Sequence, residues 1–279
     1  LQREKTPIST DDKIGMINAL VAAGIRAIQV TSFVHPKYVP QMADAEAVCA
    51  GIERVPGVEY SGLVLNQKGL ERAANAGLSH VDMSISASDS HSRKNANVSL
   101  EDALANFKTM VATAREMNMH IRAGIQCAFG YYEPDVTQDL VIDIAKRHLG
   151  LGVDSLALAD STGMANPKQI KSMLAALQPV VGEVPVVLHL HDTRGMGLAN
   201  TVASIEAGCT HFDTAFGGMG GCNFIPEALG NIATEDTVNM LHAMGYTTDV
   251  DIEAVAAVSH TLQRLIGAQL PGKLYQLVG

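Results

Sequence analysis

Short apolar, β-branched runs alternate along this chain with longer amphipathic segments, and that alternation limits its fold more than any single motif does. The runs cover 27–33, 59–65, 80–86, 120–128, 155–160, 184–191 and 211–216 and read as strands. The segments between them carry helical periodicity. The clearest is 100–117, where Leu104, Phe107, Val111 and Ala114 recur at three- and four-residue steps. Ser99 stands before it as an N-cap, with Glu101 and Asp102 in the first turn. Gly24, Gly77 and Gly208 close helices just ahead of a strand. Repeated strand–helix units predict a parallel sheet. No G-x-G-x-x-G turn follows an early strand, and polar residues collect at the C-terminal ends of several strands. Both features favour an α/β fold of the (β/α)8 TIM-barrel type over an open doubly wound sheet. Seven strands are visible, and the pattern places the first strand of the barrel upstream of Leu1. The opening Leu, in place of Met, reads as a piece of a longer chain. Residues 1–279 read as a single domain, with 235–279 as an extra C-terminal helical segment and a tail irregular around Pro271 and Gly272.

Composition narrows the function classes. Hydrophobic residues make up 47% of the 279 and charged residues 18%, enough for a core and without a disorder signature. No apolar run approaches the roughly 18–20 residues of a membrane span, and no signal-peptide pattern opens the chain. A net charge of −9 argues against non-specific binding to nucleic acid or anionic lipid. It leaves room for an anionic small molecule in a local basic pocket. Cys49, Cys127, Cys209 and Cys222 are spaced for neither a disulfide framework nor a zinc site, which fits a reducing compartment.

The chemistry gathers at strand ends. His189 and His191, two apart at the end of the run 184–191, project to the same side. Two imidazoles on one face can hold a divalent metal, whereas a lone His there is more often a hydrogen-bonded rim residue. Four glycines in 217–221 precede Cys222, which is a nucleophile, an acid or redox thiol, or an inert loop residue. Asn231, after Gly230, is an oxygen ligand or a turn residue. Asp160 is a carboxylate at a barrel mouth or a cap for the helix that follows. Arg122 sits inside a strand, where an unpaired charge is costly. It binds either a substrate carboxylate or an internal Asp. Ser92, Arg93, Lys94 and Asn95 read as a basic loop suited to phosphate, or as solvated surface charge.

Together these residues resemble the 3-hydroxy-3-methylglutaryl-CoA lyases. The similarity runs through Leu1-Gln2, Thr31-Ser32-Phe33-Val34, Pro36-Lys37, Val39-Pro40-Gln41-Met42, Lys94-Asn95, Ala159-Asp160-Ser161-Thr162-Gly163, His189-Leu190-His191-Asp192-Thr193, Gly220-Gly221-Cys222 and Gly230-Asn231-Ile232-Ala233-Thr234-Glu235-Asp236. The resemblance implies a TIM barrel that opens an acyl-CoA by a metal-dependent retro-Claisen step. It implies Mg²⁺ or Mn²⁺ on His189 and His191, with Asn231 beside them. Cys222, His189, Asp160 and Glu235 are its catalytic positions, and Arg122, Ser32, Gln29, Lys94 and Asn95 its substrate side. Coenzyme A enters as part of the substrate. The resemblance further implies a homo-oligomer, dimer or tetramer, of the bacterial cytoplasm or the mitochondrial matrix.

The chain departs from that family in four places. The family carries Arg-Asp-Gly just before the equivalent of Leu1-Gln2. Gln29 stands where a Glu is usual, and Gly124 where well-known members carry a Tyr in the acyl pocket. Residues 223–227 differ from the usual stretch after the thiol. Three other functions therefore stand beside cleavage of the family substrate to acetoacetate and acetyl-CoA. They are a citramalyl-CoA lyase giving pyruvate and acetyl-CoA, a synthase that condenses an acyl-CoA with a 2-oxo acid, and a CoA-binding relative that has lost catalysis. The Gly-Gly-Cys loop speaks against the synthase.

Overall fold

The computed structural model describes residues 1–221, 225 and 230–278. Among the described residues, seven strands follow one another across a single sheet in chain order. They are β1 (Ala27–Ser32), β2 (Glu59–Val64), β3 (His80–Ser86), β4 (His120–Gln126), β5 (Ser155–Asp160), β6 (Val186–Leu190) and β7 (His211–Asp213). The pairs β1–β2, β4–β5, β5–β6 and β6–β7 are parallel, with helices in the connections. This is the α/β barrel-type order that the alternation predicts.

Several strands are shorter than their apolar runs. β4 stops at Gln126 because Cys127 takes a left-handed backbone, φ 55°. Pro185, which has no N–H to give a ladder, lies just outside β6. β7 stops at Asp213, and Phe216–Gly218 turns into a 3₁₀ segment. Local chemistry also sets the helices. Over Leu100–Glu116 the Ser99 hydroxyl accepts from the Asp102 N–H, as the capping pattern predicts. Residues 92–95 correct the sequence reading. They lie within the helix Asp89–Ala96, not in a loop, because Ser88 caps its first turn and Asn97 closes it in a left-handed conformation.

The chain falls into two compact units. The first comprises Leu1–Val81, Thr214–Gly220 and Ile232–Gly279. The helix Thr10–Ala22 gives Met16 and Leu20, and Ile252–Ile266 gives Val255, Val258 and Leu262, to one apolar cluster closed by Leu270 and Tyr275. Gly24 is held at φ 98°, and a Cβ there would meet the Asp249 carbonyl oxygen at 2.0 Å. Only glycine fits that close approach. The second unit comprises Asp82–Asp213 and Gly221–Asn231 and holds β4 to β7. Among the described residues, no helix is long and apolar enough to cross a membrane.

Candidate active site

Strand register builds the core of the site in the second unit. His189 lies one residue from the end of β6, opposite Ala159 of β5 on one side and Asp213 of β7 on the other. His191 lies just past the strand end. Its ring centroid is 5.3 Å from that of His189, with the planes inclined by 51°. The two-residue spacing therefore does bring the imidazoles together. Asn231 forms an antiparallel bridge with His191, and the Asp192 N–H donates to the Gly230 carbonyl at 3.1 Å. His191 is buried and His189 is half-buried.

His189 Nδ1 lies 3.0 Å from Asp213 Oδ2, and Arg122 Nη1 donates to Asp213 Oδ1 at 2.6 Å. Arg122 Nε donates to Asp82 Oδ1. Burial opposes the charge on Asp213, but the His189 hydrogen bond and the Arg122 charge outweigh it and hold the carboxyl at about 2. Burial likewise opposes the charge on Arg122, and the two aspartates reverse this and raise it. Of the two purposes the sequence leaves open for Arg122, the structure displays the internal one. Asp82 and Asp213 escape the sequence reading because a lone Asp in a strand carries no spacing signal.

Asp160 ends β5 and turns its carboxylate onto the next turn. The Met164 N–H donates to Oδ1 at 2.9 Å, and the Ala165 N–H approaches both oxygens at 3.2 Å. Burial lifts this carboxyl to about 6, against the pull of those N–H groups. Lys94 Nζ donates to Glu133 Oε1 at 2.8 Å, and the next residue, Asn95, is half-buried on the same helix. Gln29, Ser32 and Glu235 belong to the first unit. Gln29 precedes an irregularity in the β1–β2 register, and Ser32 is buried at the end of β1. Glu235 accepts from the Gly217 N–H at 3.1 and 3.0 Å and from the Ser259 hydroxyl. Burial raises its carboxyl. Cys222 lies outside the described residues.

Two neutral imidazoles and an amide oxygen suit a borderline or hard divalent cation. Among the described residues, no three His, Cys, Asp or Glu side chains form a metal-holding group by themselves.

Known proteins resemble this chain over nearly its whole length. The family described as HMGL-like matches residues 1–262. Hydroxymethylglutaryl-CoA lyase YngG of Bacillus subtilis is 40% identical over 278 residues, which is 99% of this chain and 93% of that protein. The cytoplasmic 3-hydroxy-3-methylglutaryl-CoA lyase of Rattus norvegicus is 37% identical over 99% of this chain and 81% of its own length. An HMG-CoA lyase from Acinetobacter baumannii, solved with coenzyme A and 3-methylmalate, superposes with a TM-score of 0.94 at 38% identity, over 99% of this chain and 90% of that one. Hydroxymethylglutaryl-CoA lyase from Pseudomonas aeruginosa gives 0.94 at 34% identity, over 99% and 92%.

Proposed function

The chain belongs to the HMGL-like family, and on that premise we propose that it cleaves 3-hydroxy-3-methylglutaryl-CoA to acetoacetate and acetyl-CoA. The observation that carries this reading is the pair of imidazoles at the end of β6, with Asn231 bridged to one of them. His189, His191 and Asn231 would hold one Mg²⁺ or Mn²⁺. Bound there, the cation supplies Lewis-acid polarisation of the substrate's hydroxyl and carbonyl oxygens.

The reaction then asks three things of the chain. The tertiary hydroxyl must lose its proton. The bond between its carbon and the methylene next to the thioester breaks, and the electron pair passes to the acetyl-CoA fragment as an enolate. That enolate carbon must receive a proton before release. Cys222 is the proton carrier that the family resemblance supplies, and it follows four glycines in five residues. Asp160 shapes the turn after β5, through the Met164 and Ala165 N–H groups.

Citramalyl-CoA is the competing substrate. Its product is pyruvate in place of acetoacetate, and a pocket separates acyl chains that differ by one methylene by only about 1–3 kcal/mol. The test compares kcat/KM for the two thioesters before and after chelation with EDTA. Activity on both should vanish with EDTA and return with Mg²⁺ or Mn²⁺, with the family substrate ahead. Full activity after exhaustive chelation overturns the metal reading. A citramalyl-CoA preference above about tenfold, or roughly 1.4 kcal/mol, reverses the substrate order.

A further inference from the structure

Arg122 carries a charge in the middle of β4, and two carboxylates share it. Nε donates to Asp82 on β3, and Nη1 donates to Asp213 Oδ1 at 2.6 Å on β7. Asp213 spends its other oxygen, Oδ2, on His189 Nδ1 at 3.0 Å. Residues far apart in sequence thus form one continuous chain of polar contacts ending on an imidazole.

This chain fixes where the imidazole proton sits. Arg122 is charged at any pH at which the protein folds, and its pairing keeps Asp213 ionised. A carboxylate only accepts, so the hydrogen between Asp213 and His189 belongs to Nδ1. In the neutral ring the lone pair is then on Nε2. The alternative tautomer would set a lone pair against a carboxylate oxygen.

We propose that Arg122 and Asp213 are positioning residues: Arg122 anchors Asp213, and Asp213 holds His189 as the Nδ1–H tautomer with Nε2 as its donor atom. Asp82 balances Arg122 from the other side. Arg122 thus spends Nε on Asp82 and Nη1 on Asp213. The consequence for the reaction rests on His189 being a ligand of the divalent cation, while the tautomer does not.

Asp213→Asn separates the roles because it keeps the shape. Arg122 can donate only to the amide oxygen, so the NH₂ group turns to His189 Nδ1, donates to it and imposes Nε2–H. The experiment reads long-range proton–nitrogen NMR correlations of metal-free protein carrying nitrogen-labelled histidine, at a pH where the ring is neutral. His189→Ala identifies the resonance. Wild type should show Nδ1–H and Asp213→Asn should show Nε2–H. Mn²⁺ binding, followed by electron paramagnetic resonance of the free ion, should weaken by about 10–100-fold in Asp213→Asn and Arg122→Met. Asp213→Glu should recover part of it. Unchanged tautomer and unchanged Mn²⁺ affinity in Asp213→Asn overturn the proposal. So does Nε2–H in the wild type, which decides the matter even if the variants do not fold. Wild-type Mn²⁺ binding by His189→Ala overturns the ligand reading alone, and the tautomer still judges the positioning role.

Discussion

A thiol does acid–base chemistry only where its environment leaves it free to change protonation, and the cysteines of this chain divide on that point. Cys49, Cys127 and Cys209 are buried. Burial pushes the Cys49 thiol up to about 11 and raises Cys209 as well. Neither is poised to exchange a proton near neutrality. Cys222 follows four glycines in five residues and is the position that the family resemblance assigns to proton transfer. Cys222→Ala should lower kcat by on the order of 10²–10⁴ with little change in KM, the loss typical of a missing acid–base group. Alanine at 49 or 209 should leave kcat close to wild type. A Cys222→Ala enzyme that keeps more than about half of its kcat reduces this thiol to a loop residue. At this scale the sequence is readable where chemistry repeats at short spacing, as in His189 and His191. It is silent where partners meet across the fold. Arg122 finds Asp82 across 40 residues and Asp213 across 91, and no local pattern encodes either meeting.

Elements were legible through periodicity, and their ends were not. The alternation of apolar runs with amphipathic segments places the seven strands found among the described residues, because strands of a helix-covered parallel sheet bury consecutive positions. Strand ends depend instead on single residues, such as the left-handed Cys127. The helix Asp89–Ala96 shows the opposite failure. It is polar and short, so hydrophobic periodicity misses it, and the caps at Ser88 and Asn97 define it. Gly124 on β4 tests how tightly neighbouring strands are fitted. The family resemblance puts a Tyr of the acyl pocket at this position, where this chain has glycine. The structure puts Ser84 of β3 against it, and a Cβ built on Gly124 would lie 2.9 Å from the Ser84 Cβ. Gly124→Ala should therefore destabilise by roughly 1–3 kcal/mol, the usual cost of overpacking. Ser84→Gly in the same chain should recover most of it. Urea unfolding of the two single variants and the double variant checks this. Wild-type stability for Gly124→Ala alone means that the strands yield and that the fit is not tight.

At the scale of the whole molecule, acid stability depends on a few buried titratable groups. His148 is fully buried in the helix Gln138–Gly150, its ring 4.1 Å from that of Phe107, and neither nitrogen has a hydrogen-bond partner among the described residues. Burial alone pulls it down to about 4 from an ordinary 6.5. His91, edge-on to Tyr131, is pulled down to about 4 as well, by burial and then by Lys94. The sign follows from which state binds the proton first. Unfolded chain takes up the proton near 6.5 and folded chain only near 4. Stability from each histidine is thus intact above about 6.5, falls as pH drops, and levels off below about 4. For His148 the full loss is on the order of 3 kcal/mol. Asp160 works the other way. Its folded value, raised to about 6, makes the folded state the better proton acceptor, so stability rises as pH falls from about 6 towards 3.8. The net charge of −9 also relaxes on acidification. A single wild-type curve mixes these opposing trends, and a difference curve against one variant isolates His148. His148→Leu removes its titration and leaves the others. Whatever its stability at neutral pH, the variant should gain on wild type by up to about 1.4 kcal/mol for each pH unit between about 6.5 and 4, then run parallel. Urea unfolding across that range measures the gap. Parallel curves throughout mean that the folded protein protonates His148 as easily as the unfolded chain does, and that its burial exerts no control over acid stability.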